Sequence, residues 1–175
     1  MPLGLSWTPN EGGLLLVIPD EELAAFPCPP PPEPDQQPVR ELHLTLLSRR
    51  SLAALAALPS PPPLPEGLLE RLPPPTLRLL PGLHRADRPA SPERPLGKRS
   101  YFQVLDGQGA WAAWTGSVLA AWQNSAQHVN PALWPAAEAG RLYHLSRFNR
   151  GGGAPLASVG DVGWADLAAP DAARP

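Results

Sequence analysis

Proline is the feature that most constrains the fold of this 175-residue chain, because 27 of its residues are prolines. Proline fixes φ and lacks a backbone N–H, so it interrupts helix interiors and central strands. The prolines occur in runs that alternate with apolar stretches, which predicts short elements joined by Pro-rich loops. The alternative is that the runs are polyproline ligands for partner modules. The runs lie at 27–34, 59–65, 73–75 and 88–95.

The length suits a single domain with a substantial core. The net charge of −2 argues against a protein that binds along the length of DNA or RNA, because there is no overall positive field. A protein that binds only the end of a nucleic acid is compatible with this charge. The single cysteine, Cys28, excludes an intramolecular disulfide and a multi-thiolate metal site, and we expect no catalytic role for it. No signal peptide and no apolar stretch long enough for a membrane helix is evident, so we expect a cytoplasmic protein.

Hydrophobic periodicity predicts both strands and helices. Alternation with a period of two favours strands, and steps of three and four favour the helix at 109–126, where Trp111, Trp114, Val118 and Trp122 form one apolar stripe. We interpret these tryptophans as core residues. The Gly-rich stretch 151–164 indicates a turn that leads to a weak strand or a short helix. Strands are predicted at 13–19, 39–48, 76–86, 99–106 and 141–149, and further helices at 20–26, 51–58 and 66–72.

Two of the four histidines share a local pattern. In "HLTLLS", His43 precedes Thr45 by two residues, and in "YHLSRFN", His144 precedes Ser146 by two. Two such matches among four histidines arise by chance at roughly 4%, which is a moderate signal. Within a strand, the period of two places each histidine and its hydroxyl residue on the same face.

This pairing of residue types suits chemistry at phosphorus. A histidine can remove a proton from the attacking oxygen, and a second histidine can protonate the leaving oxygen. A nearby hydroxyl can donate a hydrogen bond to a phosphate oxygen. Two such pairs across a cleft would form a metal-free phosphodiesterase site. The alternative is two unrelated, half-buried histidines on sheet faces.

The two motifs resemble the paired H-x-[ST]-h signatures of the two-histidine phosphoesterase superfamily, in which h is apolar. The chain is most similar to the bacterial RNA 2′,3′-cyclic phosphodiesterases, also named 2′-5′ RNA ligases. Asn149, Gly153 and the stretch 158–161 add to the resemblance. It implies an α+β fold in which antiparallel strands of two pseudo-symmetric lobes, roughly 1–95 and 96–170, line a central groove with helices outside. Residues 171–175 would be a flexible tail.

The resemblance also implies roles for individual residues. His43 and His144 would be the acid/base pair, and Thr45 and Ser146 would hold the phosphate. Arg147 departs from the pattern because the superfamily prefers an apolar residue there. By alternation, Arg147 should point away from His144 at an exposed part of the sheet, unless a bulge lets it reach phosphate.

Other residues are candidates for contacts to RNA. The segment 84–99 carries a local net charge of +3, five cations minus two acids, and could guide an RNA backbone. A solvated connection is the alternative. Phe148 could stack a base, although core packing is the stronger expectation. His84 and His128 lack a hydroxyl residue at +2, and we expect structural or surface roles for both. The candidate RNA contacts are Arg94, Lys98, Arg99, Arg147, Phe148 and Arg150.

The sequence therefore predicts a monomeric, metal-independent enzyme that opens 2′,3′-cyclic phosphates at RNA ends or on nucleotides, without a cofactor. The resemblance implies a 2′-phosphate product and a possible reverse 2′-5′ ligation. The sequence does not say which histidine is the acid. The alternatives are a 2′-5′ oligonucleotide or 3′-end exoribonuclease on the same scaffold, and an RNA-end binding protein with weak catalysis. A Ser-His-Asp hydrolase is a weaker alternative, because no G-x-S-x-G elbow is present.

Overall fold

The computed structural model describes residues 3–152, 159–160 and 162–167. These residues form an α+β fold with a mostly antiparallel, open sheet, and this agrees with the predicted fold class. The spatial order is β1-β2-β4-β7-β6-β5, and β3 also pairs with β7. The strands in the described part of the chain are β1 (Gly4–Ser6), β2 (Leu14–Val17), β3 (Gln37–Pro38), β4 (His43–Leu47), β5 (His84–Arg88), β6 (Lys98–Val104) and β7 (His144–Asn149).

The helices are short except for one. Helix α4 (Gln108–Ser125) spans 18 residues, and α1 (Asp20–Leu23), α2 (Ala53–Ala56) and α3 (Leu68–Arg71) span one turn each. Two 3₁₀ turns occur at Pro131–Leu133 and Trp164–Asp166. The Pro-rich runs separate these elements, as predicted, because proline supports neither helix interiors nor central strands.

The main hydrophobic core lies between α4 and one face of the sheet, which we call the helix face. The four residues predicted as the apolar stripe of α4 are all buried there. Leu44 of β4 and Leu145 of β7 are completely buried in this core. A second, smaller core lies on the opposite face, where Val159 and Val162 contact Phe102 and Val104 of β6. The C-terminal segment therefore covers part of the face opposite α4.

The predicted strand at 76–86 is only partly correct. The chain makes a single bridge between Leu79 and Leu105, and β5 begins only at His84. Pro81 and Gly82 separate the two pieces, and Gly82 has a φ of 96°, a conformation that a regular strand does not contain. The short strands β1 and β3 were not predicted from the sequence. No helix among the described residues is long and apolar enough to cross a membrane.

Candidate active site

His43 and Thr45 lie on the same face of β4. Leu44 and Leu46, which alternate with them, have no exposed surface, whereas His43 and Thr45 are half-buried. The hydrophobic alternation of "HLTLL" accounts for this arrangement, because burial of the leucines directs the histidine and the hydroxyl to the other face. The β7 strand repeats the pattern, with half-buried His144 and Ser146 on either side of buried Leu145.

The two strands are neighbours at the centre of the sheet. Strands β4 and β7 pair antiparallel, and Leu44 lies directly opposite Leu145. Antiparallel geometry then places His43 beside Ser146, and Thr45 beside His144. All four side chains therefore project from the same face, which we call the site face. The histidines are diagonal neighbours, for which a Cβ–Cβ separation of roughly 7–8 Å is typical.

The sheet is symmetric about this central pair. Each half contributes an edge strand, a middle strand and a central strand with the histidine, in the chain orders β1, β2, β4 and β5, β6, β7. The flanking strands repeat the symmetry residue by residue. The equivalent cross-strand pairs are Val17–His43 and Val104–His144, and Leu15–Thr45 and Phe102–Ser146.

Both central strands carry a register shift at the residue that follows the hydroxyl. Leu46 of β4 has no residue opposite it in the register with β2, and Arg147 of β7 has none in the register with β6. These are the fourth positions of the two motifs. Leu46 is completely buried and Arg147 is 3% exposed, so the bulge residue is buried in both halves. Burial of this position gives a physical reason for an apolar preference there.

The surroundings of His144 favour a neutral imidazole. Burial, with smaller contributions from the positive charges of Arg141 and His43, lowers its pKa to about 4, against the opposing effects of the hydrogen bond with the Leu142 carbonyl and of Asp166. The Nδ1 atom lies 2.9 Å from the carbonyl oxygen of Leu142. Because a carbonyl only accepts, Nδ1 must carry the proton, and the lone pair is on Nε2. The ring also makes an edge contact with Phe102, at a centroid separation of 5.1 Å.

His43 has different neighbours. Burial lowers its pKa from the ordinary value of 6.5, and the carboxylate of Glu41 opposes that shift. An oxygen of Glu41 lies 3.9 Å from Nδ1, too far for a hydrogen bond but within ion-pair range of a protonated ring. Glu41 and Leu142 occupy equivalent positions, each two residues before its histidine. One histidine is thus next to an anion and the other next to a neutral carbonyl.

Arg147 is not exposed, so that part of the prediction is wrong. The guanidinium is buried, and Nη2 donates a hydrogen bond to the carbonyl oxygen of Phe26 at 2.9 Å. The bulge that the sequence left open is present. The side chain is nevertheless buried, so Arg147 has no accessible donor for phosphate or RNA.

Phe148 does not offer a ring face to a base, because it has no exposed surface. Its predicted base-stacking role is therefore wrong, and the alternative of core packing is correct. Phe148 lies in a strand that is paired on both sides, opposite Pro38 of β3 and Tyr101 of β6.

Two of the five candidate RNA-binding cations, Arg99 and Arg150, lie in ion pairs. Arg99 contacts Asp87 at 2.6 Å and Glu33 at 2.8 Å, and both acids raise its pKa. Arg150 contacts Asp35 at 2.8 Å and donates to the carbonyl of Leu96. Within the same segment, Arg85 pairs with Asp87 and Arg88 with Asp166. Glu33 and Asp166, which lie elsewhere in the chain, therefore compensate two of the three net positive charges of the segment.

Lys98 and Arg94 are the other two cations of this segment that were predicted to contact RNA. Burial lowers the pKa of Lys98, and the positive charge of Arg94 lowers it further. Lys98 alternates with Ser100 and Phe102 along β6 and therefore lies on the site face.

Sequence reasoning missed a carboxylate that links the two central strands. One oxygen of Glu138 accepts hydrogen bonds from the backbone and the hydroxyl of Ser48 and from the hydroxyl of Ser51, just after β4. The other oxygen pairs with Arg141, shortly before β7. These bonds lower the pKa of Glu138 to about 2 despite the opposing effect of burial. The contacts of Glu138 with the serines join positions about 90 residues apart, so no local sequence pattern could predict them.

Some features of the resemblance lie outside the described residues, namely Gly153, Ser158 and Asp161. Cys28 is exposed. In the described ranges, no three or more His, Cys, Asp or Glu side chains are grouped so that they could hold a metal ion. Comparison of the chain with protein-family models, with curated proteins and with solved structures gave no match.

Proposed function

We propose that this protein is a metal-independent phosphodiesterase that opens 2′,3′-cyclic phosphates at RNA ends or on nucleotides. The observation that carries the proposal is the pairing of Leu44 with Leu145, which brings both histidine–hydroxyl pairs onto one sheet face. The symmetric sheet is compatible with the two-lobed arrangement of the two-histidine phosphoesterases. The substrate class comes from the resemblance of the two motifs to that superfamily.

The unequal surroundings of the histidines divide the catalytic roles between them. His144 is held neutral with its lone pair on Nε2, so it serves as the base that takes a proton from water. His43 lies beside the carboxylate of Glu41, which stabilises the protonated ring, so it serves as the acid.

In the reaction, the water oxygen bonds to phosphorus as His144 accepts a water proton. The bond between phosphorus and one ribose oxygen breaks, and that oxygen receives the proton of His43. Protonated His144 and neutral His43 then return to their starting states by exchange with solvent. Thr45 and Ser146 donate hydrogen bonds to the non-bridging oxygens, where negative charge concentrates. Ligation would be the same ring-opening step with the 5′-hydroxyl of an RNA end in place of water as the nucleophile, and cleavage of the resulting 2′-5′ bond would be its reverse.

The test is hydrolysis of nucleoside 2′,3′-cyclic phosphates and cyclic-ended oligoribonucleotides in EDTA, with the products mapped. We expect turnover in EDTA and a 2′-phosphate product. His43→Ala and His144→Ala should each lower kcat by about 10²–10⁴, the usual effect of removing an acid or base. His128→Ala is the matched control, because His128 is exposed and lies outside the central strands. Full activity in either folded site variant, or a requirement for a divalent metal, would refute the mechanism.

A further inference from the structure

The two halves of the site face also differ in whether their flanking strands are covered by other residues. In the second half, Phe102 and Val104 flank the central strand, and both are buried beneath Val159 and Val162. In the first half, the equivalent residues Leu15 and Val17 are only half-buried. Neither belongs to a hydrophobic core of the described chain, so an apolar surface beside His43 stays open to solvent.

The edge strand β1 extends this surface. Gly4 pairs with Val17, and Ser6 pairs with Leu15, so both lie on the site face. Apart from its chain neighbours, no heavy atom of the described residues lies within 4 Å of a Cβ atom built on Gly4, so no described side chain fills the space above Gly4. We call the four residues Gly4, Ser6, Leu15 and Val17 the β1–β2 shelf.

The shelf continues directly from the phosphate-binding region. Gly4, Val17 and His43 form one row across three strands, and Ser146 continues this row on β7. Two inter-strand spacings separate Gly4 from His43, roughly 10 Å, which is comparable to the length of a nucleoside. The shelf carries no charged side chain. A flat, neutral and partly apolar group therefore fits it better than a further phosphate does.

We propose that the β1–β2 shelf binds the terminal nucleoside of the substrate, with the base lying over Gly4 and against Leu15 and Val17. This inference rests on the proposed function, because it takes the phosphate to lie between the two histidines. The covered second half leaves the nucleoside no equivalent surface there. The pseudo-symmetric site thus accepts its substrate in one orientation.

The test uses two substrates that share the five-membered cyclic phosphate and differ in the nucleoside: adenosine 2′,3′-cyclic phosphate has one, and glycerol 1,2-cyclic phosphate has none. The quantity measured is the ratio of their kcat/KM values. Gly4→Ile fills the empty space above Gly4 with a residue suited to a strand, and it should lower the ratio about tenfold or more. Leu15→Ser removes apolar contact and should lower the ratio several-fold. The control is Gly109→Ile, which adds the same side chain to an exposed position of α4.

The outcomes separate the shelf from the chemistry. A wild-type protein that hydrolyses both substrates, with an unchanged ratio in Gly4→Ile and Leu15→Ser, would overturn the shelf and leave the proposed function standing. A wild-type protein that hydrolyses neither would overturn the proposed function. Calorimetric binding of adenosine 2′-phosphate and of inorganic phosphate then decides the shelf. Tighter binding of the nucleotide that Gly4→Ile abolishes would support the shelf, and equal affinities in both proteins would refute it.

Discussion

Replacement of the buried arginine by methionine, Arg147→Met, should make the protein more stable. Arg147 occupies the bulge position of β7 whose equivalent in β4 is Leu46. Both positions are buried, but only one carries a charge. Two of the guanidinium nitrogens of Arg147, Nε and Nη1, are buried and have no hydrogen-bond partner among the described residues. The substitution removes these atoms and keeps an unbranched side chain in the same space.

The magnitude follows from three hydrogen-bonding atoms. Each buried donor without a partner costs about 1–3 kcal/mol, and Arg147→Met removes two of them. The substitution also removes the bond from Nη2 to the carbonyl of Phe26, at a cost of about 1.5–3 kcal/mol. The free energy of unfolding should therefore rise by about 1–3 kcal/mol, in line with replacement of other buried charges by apolar residues. For a chain of this length, each kcal/mol corresponds to about 2–4 °C in Tm.

Urea denaturation and thermal unfolding measure this effect, and Leu46→Met is the matched control. The control changes the equivalent bulge residue between two apolar side chains, so it should cost less than about 1.5 kcal/mol. Phosphodiesterase activity should be unchanged in Arg147→Met, because the buried guanidinium has no access to substrate. A decrease of more than about 1 kcal/mol in the free energy of unfolding would show that the guanidinium has compensating partners. A decrease in turnover would show that Arg147 contributes to phosphate binding.

Three further predictions concern the site face. The pH profile of kcat/KM should be bell-shaped with an optimum below pH 6.5. The reason is that His144, with a pKa of about 4, must be neutral, whereas His43 must be protonated and burial holds its pKa below 6.5. An optimum above pH 7 would contradict the assigned roles. Thr45→Val and Ser146→Ala should lower kcat less than the histidine changes do, since each removes one phosphate hydrogen bond of about 1–3 kcal/mol; a larger loss would require another role for the hydroxyl. Lys98→Glu should raise KM for cyclic-ended oligonucleotides more than for mononucleotides, and the difference should fade at high salt; equal effects on both substrates would assign Lys98 to the solvated surface.

The long helix and the two central strands could be predicted from the sequence, because their hydrophobic residues repeat with the period of the element. Burial of Leu44 and Leu145 imposes a period of two on β4 and β7, and burial of one stripe imposes helical spacing on α4. Strands β1 and β3 have three and two residues, too few to show a period. Their structure comes from pairing with distant segments, which local pattern does not record.

The candidate site was predictable in its residue types but not in its contacts. The spacing of His43 and Thr45, and of His144 and Ser146, required only a strand to place each pair on one face. The register shifts after the hydroxyl residues depend on the partner strand, so the burial of Arg147 could not be read from its own segment. The ion pair between Arg99 and Glu33 joins residues 66 positions apart, which explains why a locally basic segment is not basic in the fold.

A symmetric sheet alone would give two equivalent histidines, whereas acid/base chemistry needs one to donate a proton while the other accepts one. The difference between the two histidines comes from the residue two positions before each of them. Leu142 presents a backbone carbonyl to His144, which fixes the Nδ1–H tautomer, and burial of the ring outweighs the support that this bond gives to a charged imidazole. Glu41 presents a carboxylate near His43, which favours the charged ring. The carboxylate at one of the two equivalent positions therefore makes His43 the better suited of the two to donate a proton, and the rest of the sheet can keep its symmetry.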